Sequence, residues 1–332
     1  MTKMFFVAAL LAGLVLAACA TVAPTPTPAP AKSGTLRVGF SSDADMGDVP
    51  TLMALDALTA EGYTVQPTFF SAADVEMAAI DKGDIDIGNG SVRNAWTAIA
   101  KGGNLRTIME QISNDWLMVS TPDLKTCNDL TGKRLAFTNS ASSNKAMSDA
   151  FFQTNCPSVQ PQIVFIANSD ARAAALLANQ IDATPIELAD WIHVQNQAPD
   201  KFHIMIDFAQ ALPNLKATGV QVNQTFAQKN PAMVKDYLTA VLTVYRNIHD
   251  HPETLKAAAI KDIKLDTADA DKVTDAYLSQ NLWNIDGGLT KEAIQYSIDF
   301  YSKSGSIPSG LTADQVSDLS YLSAVLTTIG KK

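Results

Sequence analysis

Two stretches of the chain, 96 positions apart, spell the same unit: an Ala-rich helix, a turn, then a short strand bearing an aspartate. Asp74, Ala78, Ala79, Ile85 and Asp86 of the first fall on Asp170, Ala174, Ala175, Ile181 and Asp182 of the second. Gly83 falls on Asn179, and these are the two residue types that best accept the left-handed turn closing a helix. As a repeat, the unit implies two lobes of like construction; chance likeness of two Ala-rich helices is the competing reading. Around it, β-rich runs alternate with helical segments, the pattern of an α/β fold with parallel strands. Strands are expected at 35–40, 64–70, 84–88, within 130–137, and at 162–167, 203–207 and 219–222. A helix capped by Asp48 with Pro50 in its first turn should run to Glu61. Ser71 and Asp74 resemble a capping box for the next helix, Asn89-Gly90-Ser91 reads as a loop, and a helix follows from Val92. Beyond Pro231 the pattern is helical, over 233–248, 252–260, 268–281, 291–303 and 313–328, and this tail should pack on the N-terminal lobe.

The first residues read as an address. Lys3 precedes an apolar run of 14 residues, 5–18, the length of a signal-peptide core and too short for a membrane span. Leu16-Ala17-Ala18-Cys19 resembles a bacterial lipobox, which implies cleavage before Cys19 and lipid on that residue. An ordinary secretory signal is the alternative. Residues 19–34, with Pro24, Pro26, Pro28 and Pro30, read as an extended tether. Losing residues 1–18 removes Lys3, so the formal charge of −9 becomes about −10. Such an acidic chain lacks the basic face that nucleic acid requires. With 47% hydrophobic and 18% charged residues it can bury a full core. Outside the cytoplasm Cys127 and Cys156 could be bridged, contributing roughly 3 kcal/mol; two free thiols are the alternative.

A family resemblance rests on 36–39, 82–88, 129–136, 173–183 and 226–231, in that order and spacing across most of the chain. Together these segments resemble the type II periplasmic binding proteins, more narrowly the group serving taurine, alkanesulfonate, nitrate and thiamine-precursor importers. The resemblance implies two lobes, each a central mixed sheet flanked by helices, with a ligand cleft between them. Lobe one would comprise 35–122 and 221–332 and lobe two 123–220, with crossings near 118–124 and 217–223. It further implies an extracytoplasmic monomer, lipid-anchored to the bacterial cell membrane, that hands a sulfonate, nitrate, pyrimidine or similar molecule to an ABC permease and its ATPase. Two features depart from the pattern: Asn179 stands where glycine is common, and 41–47 carries Asp43 and Asp45.

Ligands in open α/β sheets sit at the carboxyl ends of strands, near helix N-termini. Three segments qualify by position: Ser41, Ser42 and Asp43; Asn89, Gly90 and Ser91; and Thr138, Asn139, Ser140, Ser142, Ser143 and Asn144. Arg93 could pair with an anion, and Glu187 with Asp43 or Asp45 could hold an amine. Trp191 and Trp96 could stack on a ring, although core packing is the simpler role; Trp116 and Trp283 are expected in the core. No catalysis, metal or cofactor is expected. His249 and His251 have no third ligand near them in sequence, and neither a Gly-x-Ser-x-Gly elbow nor a phosphate loop is present. A ligand-sensing subunit of a signalling system is the rival function.

Overall fold

The computed structural model describes Met1 and residues 32–332. The signal segment, Cys19 and nearly all of the tether lie outside the described residues. Residues Lys32–Lys332 form one compact unit. Its strands are β1 Thr35–Phe40, β2 Thr64–Phe69, β3 Ile87–Ser91, β4 Leu105–Met109, β5 Trp116–Ser120, β6 Arg134–Phe137, β7 Gln162–Phe165, β8 Ala183–Glu187, β9 His203–Asp207 and β10 Thr218–Asn223. Its helices begin with α1 Val49–Ala60, α2 Ala73–Lys82, α3 Val92–Ala100, α4 Ser143–Asn155, α5 Ser169–Leu177, α6 Leu188–Gln197, α7 Phe208–Ala211 and α8 Gln224–Lys229. They continue with α9 Pro231–Asp250, α10 Pro252–Asp262, α11 Ala270–Ser279, α12 Lys291–Lys303, α13 Ala313–Val316 and α14 Ser320–Ile329.

The strands form two five-stranded mixed sheets, ordered β2-β1-β3-β10-β4 and β7-β6-β8-β5-β9. Replacing β1, β2, β3, β10 and β4 by β6, β7, β8, β5 and β9 converts one order into the other. In each sheet the fourth strand runs antiparallel to its neighbours. The side chains repeat as well. Arg37 donates its backbone N–H (2.8 Å) and Nε–H (3.0 Å) to Asp86, and its guanidinium also pairs with that carboxylate. Arg134 does the same to Asp182, at 2.8, 3.1 and 2.7 Å. These forked, charge-assisted bonds fasten each inner strand to the turn before the next. Gly83 (φ 82°) and Asn179 (φ 57°) both adopt the left-handed cap. The repeat seen in sequence is therefore structural.

Several expectations change. Asn89-Gly90-Ser91 is the end of β3, not a loop. Glycine suits this strand because a Cβ at Gly88 would stand 2.3 Å from Ile80 Cδ1, and one at Gly90 2.8 Å from Glu76 Oε2. Asp48 makes no side-chain cap to α1; it pairs instead with Asp45 around a tight turn at Met46–Asp48. The first residue before α2 is Ala72, without a side-chain cap, so Ser71 and Asp74 do not form a capping box. Trp116–Ser120, expected in lobe one, hydrogen-bonds into the second sheet, which moves the first crossing to residues 110–115. The second crossing spans 208–217. The last helix breaks between Val316 and Ser320, where Ser317 bridges to Thr107.

The tail serves both sheets. One face of α9, carrying Val234, Tyr237, Leu238, Val241, Leu242, Tyr245 and Ile248 at helical spacing, is fully buried and packs on α1. Against the second half, α11 packs on α6 and α12 on α4. The two crossings are bonded together: Lys216 Nζ lies 2.7 Å from Glu110 Oε1, and Thr218 Oγ1 donates to Ile112 O at 2.8 Å. Cys127 and Cys156 form a disulfide with Cα atoms 6.0 Å apart. No helix among the described residues is long and apolar enough to cross a membrane.

Candidate ligand site between the two sheets

The carboxyl ends of β1 and β3 face those of β6 and β8, and side chains join them directly. Ser143 Oγ, from the first turn of α4, donates to Ser91 Oγ at 2.5 Å. Arg93 Nη1 donates to Ala141 O at 2.8 Å, and its Nε to Ser306 O at 3.2 Å. Arg93 thus holds carbonyls of the opposite half and of the tail rather than a free anion.

The expected residues divide into two groups. Ser41, Ser42, Ser91, Ser143 and Glu187 border this junction, the first two half-buried after β1. Asp43 and Ser140 are exposed. Asn89 is fully engaged in the core: its Nδ2 donates to Gly39 O and its Oδ1 accepts from Tyr237 at 2.9 Å. Gly90 contributes no side chain and fits against Ser41 and Glu76. Thr138, Ser142 and Asn144 bond mainly to one another, Asn144 Nδ2 donating to Thr138 Oγ1 (2.8 Å) and Ser142 Oγ to Asn144 Oδ1 (2.7 Å). They shape the loop rather than offer it to a ligand. Trp96 and Trp283 are in the core. Trp116, expected there too, is half-exposed and has the Arg172 guanidinium 5.6 Å from its ring centre.

The most charged part of the junction was only partly legible in the sequence. Asp45 Oδ1 accepts from Gly47 N–H at 2.8 Å, Asp48 Oδ1 accepts from Gln111 at 2.5 Å, and Gly47 O accepts from Trp283 Nε1 at 3.2 Å. Trp283 leans on Tyr277, whose hydroxyl donates to Asp115 Oδ2 at 2.9 Å. Asp115 precedes Trp116, which pairs in register with Glu187. Asp190 follows in the first turn of α6. Burial and the neighbouring Asp190 charge push Asp45 up to about 6. Burial and the Asp45 charge push Asp115 up to about 7. Glu187 is raised well above the ordinary carboxylate range by burial, then by Asp45, Asp115 and Asp190. A cavity of about 90 Å³ opens beside Asp115, lined also by Asn114, Leu188, Trp191 and Asp207. Among the described residues no three His, Cys, Asp or Glu side chains converge to hold a metal ion.

Two further residues went unnoticed as site candidates, although the 96-residue shift places one on the other: Glu76 and Arg172. Both are 0% exposed on equivalent helices, α2 and α5. Glu76 Oε1 accepts from Asn89 N–H at 3.0 Å, and Arg172 Nε donates to Pro185 O at 3.1 Å. Asn89 and Pro185 are themselves 96 positions apart. Arg172 Nη1 also reaches Thr138 Oγ1, Ile166 O and Ala167 O. Each side chain has one polar atom without a partner, Glu76 Oε2 and Arg172 Nη2.

The model of the family described as NMT1/THI5 like matches residues 58–255, more than half of the chain. The chain belongs to this family. No curated protein matches its sequence. Among solved structures it is similar to the aliphatic sulphonate binding protein SsuA from Escherichia coli, with TM-score 0.66 and 19% identity over 85% of this chain and 96% of that one. The alkanesulfonate-binding SsuA from Xanthomonas axonopodis, bound to MOPS, gives TM-score 0.67 and 14% identity, covering 86% and 98%. The periplasmic nitrate-binding protein NrtA from Synechocystis gives 0.69 and 11%, covering 89% of each chain. The fold of this NMT1/THI5-like chain is thus the periplasmic binding protein fold expected from its sequence.

Proposed function

We propose that this protein is the extracytoplasmic solute-binding subunit of an ATP-driven importer, capturing a small polar molecule between its two sheets and delivering it to a permease. The observation that carries this reading is the junction itself. Two sheets of equivalent order, between which the chain crosses twice and against both of which its tail packs, meet through polar side chains at their strand ends. Such halves open and close about their crossings. The sulfonate- and nitrate-binding neighbours and the family membership support capture rather than turnover. The bonds from Ser143 to Ser91 and from Arg93 to Ala141 belong to the closed form and favour it.

The combined substitution Ser143→Ala and Arg93→Gln removes both bonds, each worth about 0.5–1.5 kcal/mol. Ligand affinity should fall on the order of tenfold, and small-angle scattering should show a larger radius of gyration at a ligand level that compacts the wild type. Equal compaction of variant and wild type would refute the assignment of these bonds.

We also propose that Cys19 carries the lipid that holds the protein beside its transporter, raising its local concentration there. Cys19→Ser should move the protein from the membrane fraction to the soluble one and abolish labelling by a fatty acid. A variant still labelled and still sedimenting with membranes would remove the anchor.

A further inference from the structure

We propose that two copies of this chain pair along the free edge of the second sheet, β7 against β7 and antiparallel, so that two five-stranded sheets join into one of ten strands. Each sheet has an outer strand at the start of its order, β2 in the first and β7 in the second, and among the described residues β7 has β6 as its one neighbour. A strand so placed turns the N–H and C=O of every second residue outward, ready to pair with another chain. The bonds to β6 show which residues these are. Gln162 N–H donates to Lys133 O at 2.8 Å and Ile166 N–H to Phe137 O at 2.9 Å, so the even positions face β6. Ile163 and Phe165 therefore present their backbone groups to the outside. Their side chains are 41% and 53% exposed.

The repeat supplies a comparison within the molecule. In β2, Thr64 N–H donates to Gly34 O and Phe70 N–H to Phe40 O, so Pro67 and Phe69 are the outward positions. The 96-residue shift places Pro67 on Ile163 and Phe69 on Phe165. Strand pairing gives the same match: Pro67 lies opposite Val38, next to Arg37, and Ile163 opposite Leu135, next to Arg134. Proline has no N–H to offer, and a proline facing outward closes a sheet edge to other chains. The first sheet carries that block, and the second, at the same position, does not. Phe69 is also partly covered, its ring stacked on Phe40 at 4.9 Å. Charge is the other common protection of an edge. Residues 150–169 contain no Asp, Glu, Lys, Arg or His, in a chain that is 18% charged.

These features also select the occupant. At a net charge of −9, two copies repel as whole bodies, and the uncharged run around β7 is where they can meet without opposing like charges. The edge is complementary to itself as well. Antiparallel pairing about Val164 sets Ile163 of each copy opposite Phe165 of the other, and each such pair exchanges both N–H···O bonds. Four backbone bonds form, and two pairs of a β-branched and an aromatic side chain line one face. Val164 meets its own counterpart on the two-fold axis, so the contact is isologous and closes at two copies. Pro161, the next odd position, has no N–H and ends the ladder. The edge is short, so the dimer is weak and forms as concentration rises.

Sedimentation equilibrium in a density-matched detergent, over a concentration series of the protein as the cell produces it, tests this. The mass should rise from one chain towards two. Ile163→Pro copies the block of the first sheet, and the N–H it removes faces outward, so the thermal midpoint should be kept. Phe165→Lys leaves every N–H in place and adds charge to the edge. Each should raise the dimer dissociation constant about tenfold or more. Disulfide trapping under mild oxidation reads the register. Two Val164→Cys residues would face each other on the axis, their Cα atoms about 4.5 Å apart and within reach of a bond. Two Ile163→Cys residues would sit diagonally, about 7–8 Å apart and out of reach. A mass of one chain at every concentration overturns the proposal and leaves the open edge to an extended segment of another protein. A dimer as tight in Ile163→Pro as in the wild type overturns it too, because the contact would then lie on another face. Where Ile163→Pro lowers the thermal midpoint, Phe165→Lys decides in its place. Trapping of Ile163→Cys in preference to Val164→Cys also overturns the pairing.

Discussion

Replacing Arg172 by methionine is expected to cost about 3–5 kcal/mol, one of the largest effects available from a single residue outside the cores. The guanidinium is 0% exposed and ties together the carboxyl ends of three strands, bonding Pro185 O of β8, the Thr138 hydroxyl beyond β6, and Ile166 O and Ala167 O beyond β7. Methionine fills much of the space but leaves those acceptors bare, and each bare buried acceptor costs about 1–3 kcal/mol. Some of that loss is offset, because burial already holds Arg172 down to about 10. Chemical denaturation should show the lowered midpoint, and Arg172→Lys should recover only part of it, since an ammonium cannot span the same fork. Glu76→Gln provides the contrast. Burial raises the Glu76 carboxyl well above its usual range, and glutamine keeps the acceptor for Asn89 N–H, so this change should be neutral or stabilising. A loss below about 1 kcal/mol for Arg172→Met would show that the three strand ends do not depend on it.

The second large effect is on the disulfide. Cys127 and Cys156 are 29 positions apart, and the bridge encloses β6, the loop that follows it and all of α4. Closing a loop of this length contributes roughly 3 kcal/mol by restricting the unfolded chain. The double substitution Cys127→Ser and Cys156→Ser should lower the midpoint accordingly. Reductant should lower the wild-type midpoint by a similar amount and leave the double variant unmoved. A wild type indifferent to reductant would show that the bridge does not stabilise the fold. Because the enclosed loop carries Ser143, the reduced protein should also close less firmly on its ligand.

The sequence revealed much of this fold through its repeat. The pattern also placed α12, β1 and β9 at their observed bounds and α9 to within two residues at each end. What escaped it had physical causes. Leu105–Met109 and Trp116–Ser120 are short strands buried in mid-sheet or at an inner edge, and such runs carry no alternation to set them apart from buried helix. Asn89-Gly90-Ser91 has the composition of a loop, yet its glycine is dictated by the Glu76 carboxyl beneath a strand. Glu187 and Asp45 were visible as a possible amine site because each follows a strand. Asp115 was not, since it follows no predicted strand and owes its place to a crossing that lies earlier than the pattern suggested. Arg172 stands in the Ala-rich helix of the second unit, where no sequence pattern marks it, and only the fold shows that it is turned inward.

The paired positions of Glu76 and Arg172 carry one more consequence. Duplication of a unit produces two facing walls that would accept a solute equally well in either of two reversed poses. Here the same buried position behind the two sheets bears an acid in one half and a guanidinium in the other, so the halves are chemically unlike. For a solute captured between the sheets as proposed, the two reversed poses would therefore differ in energy, and one orientation would prevail.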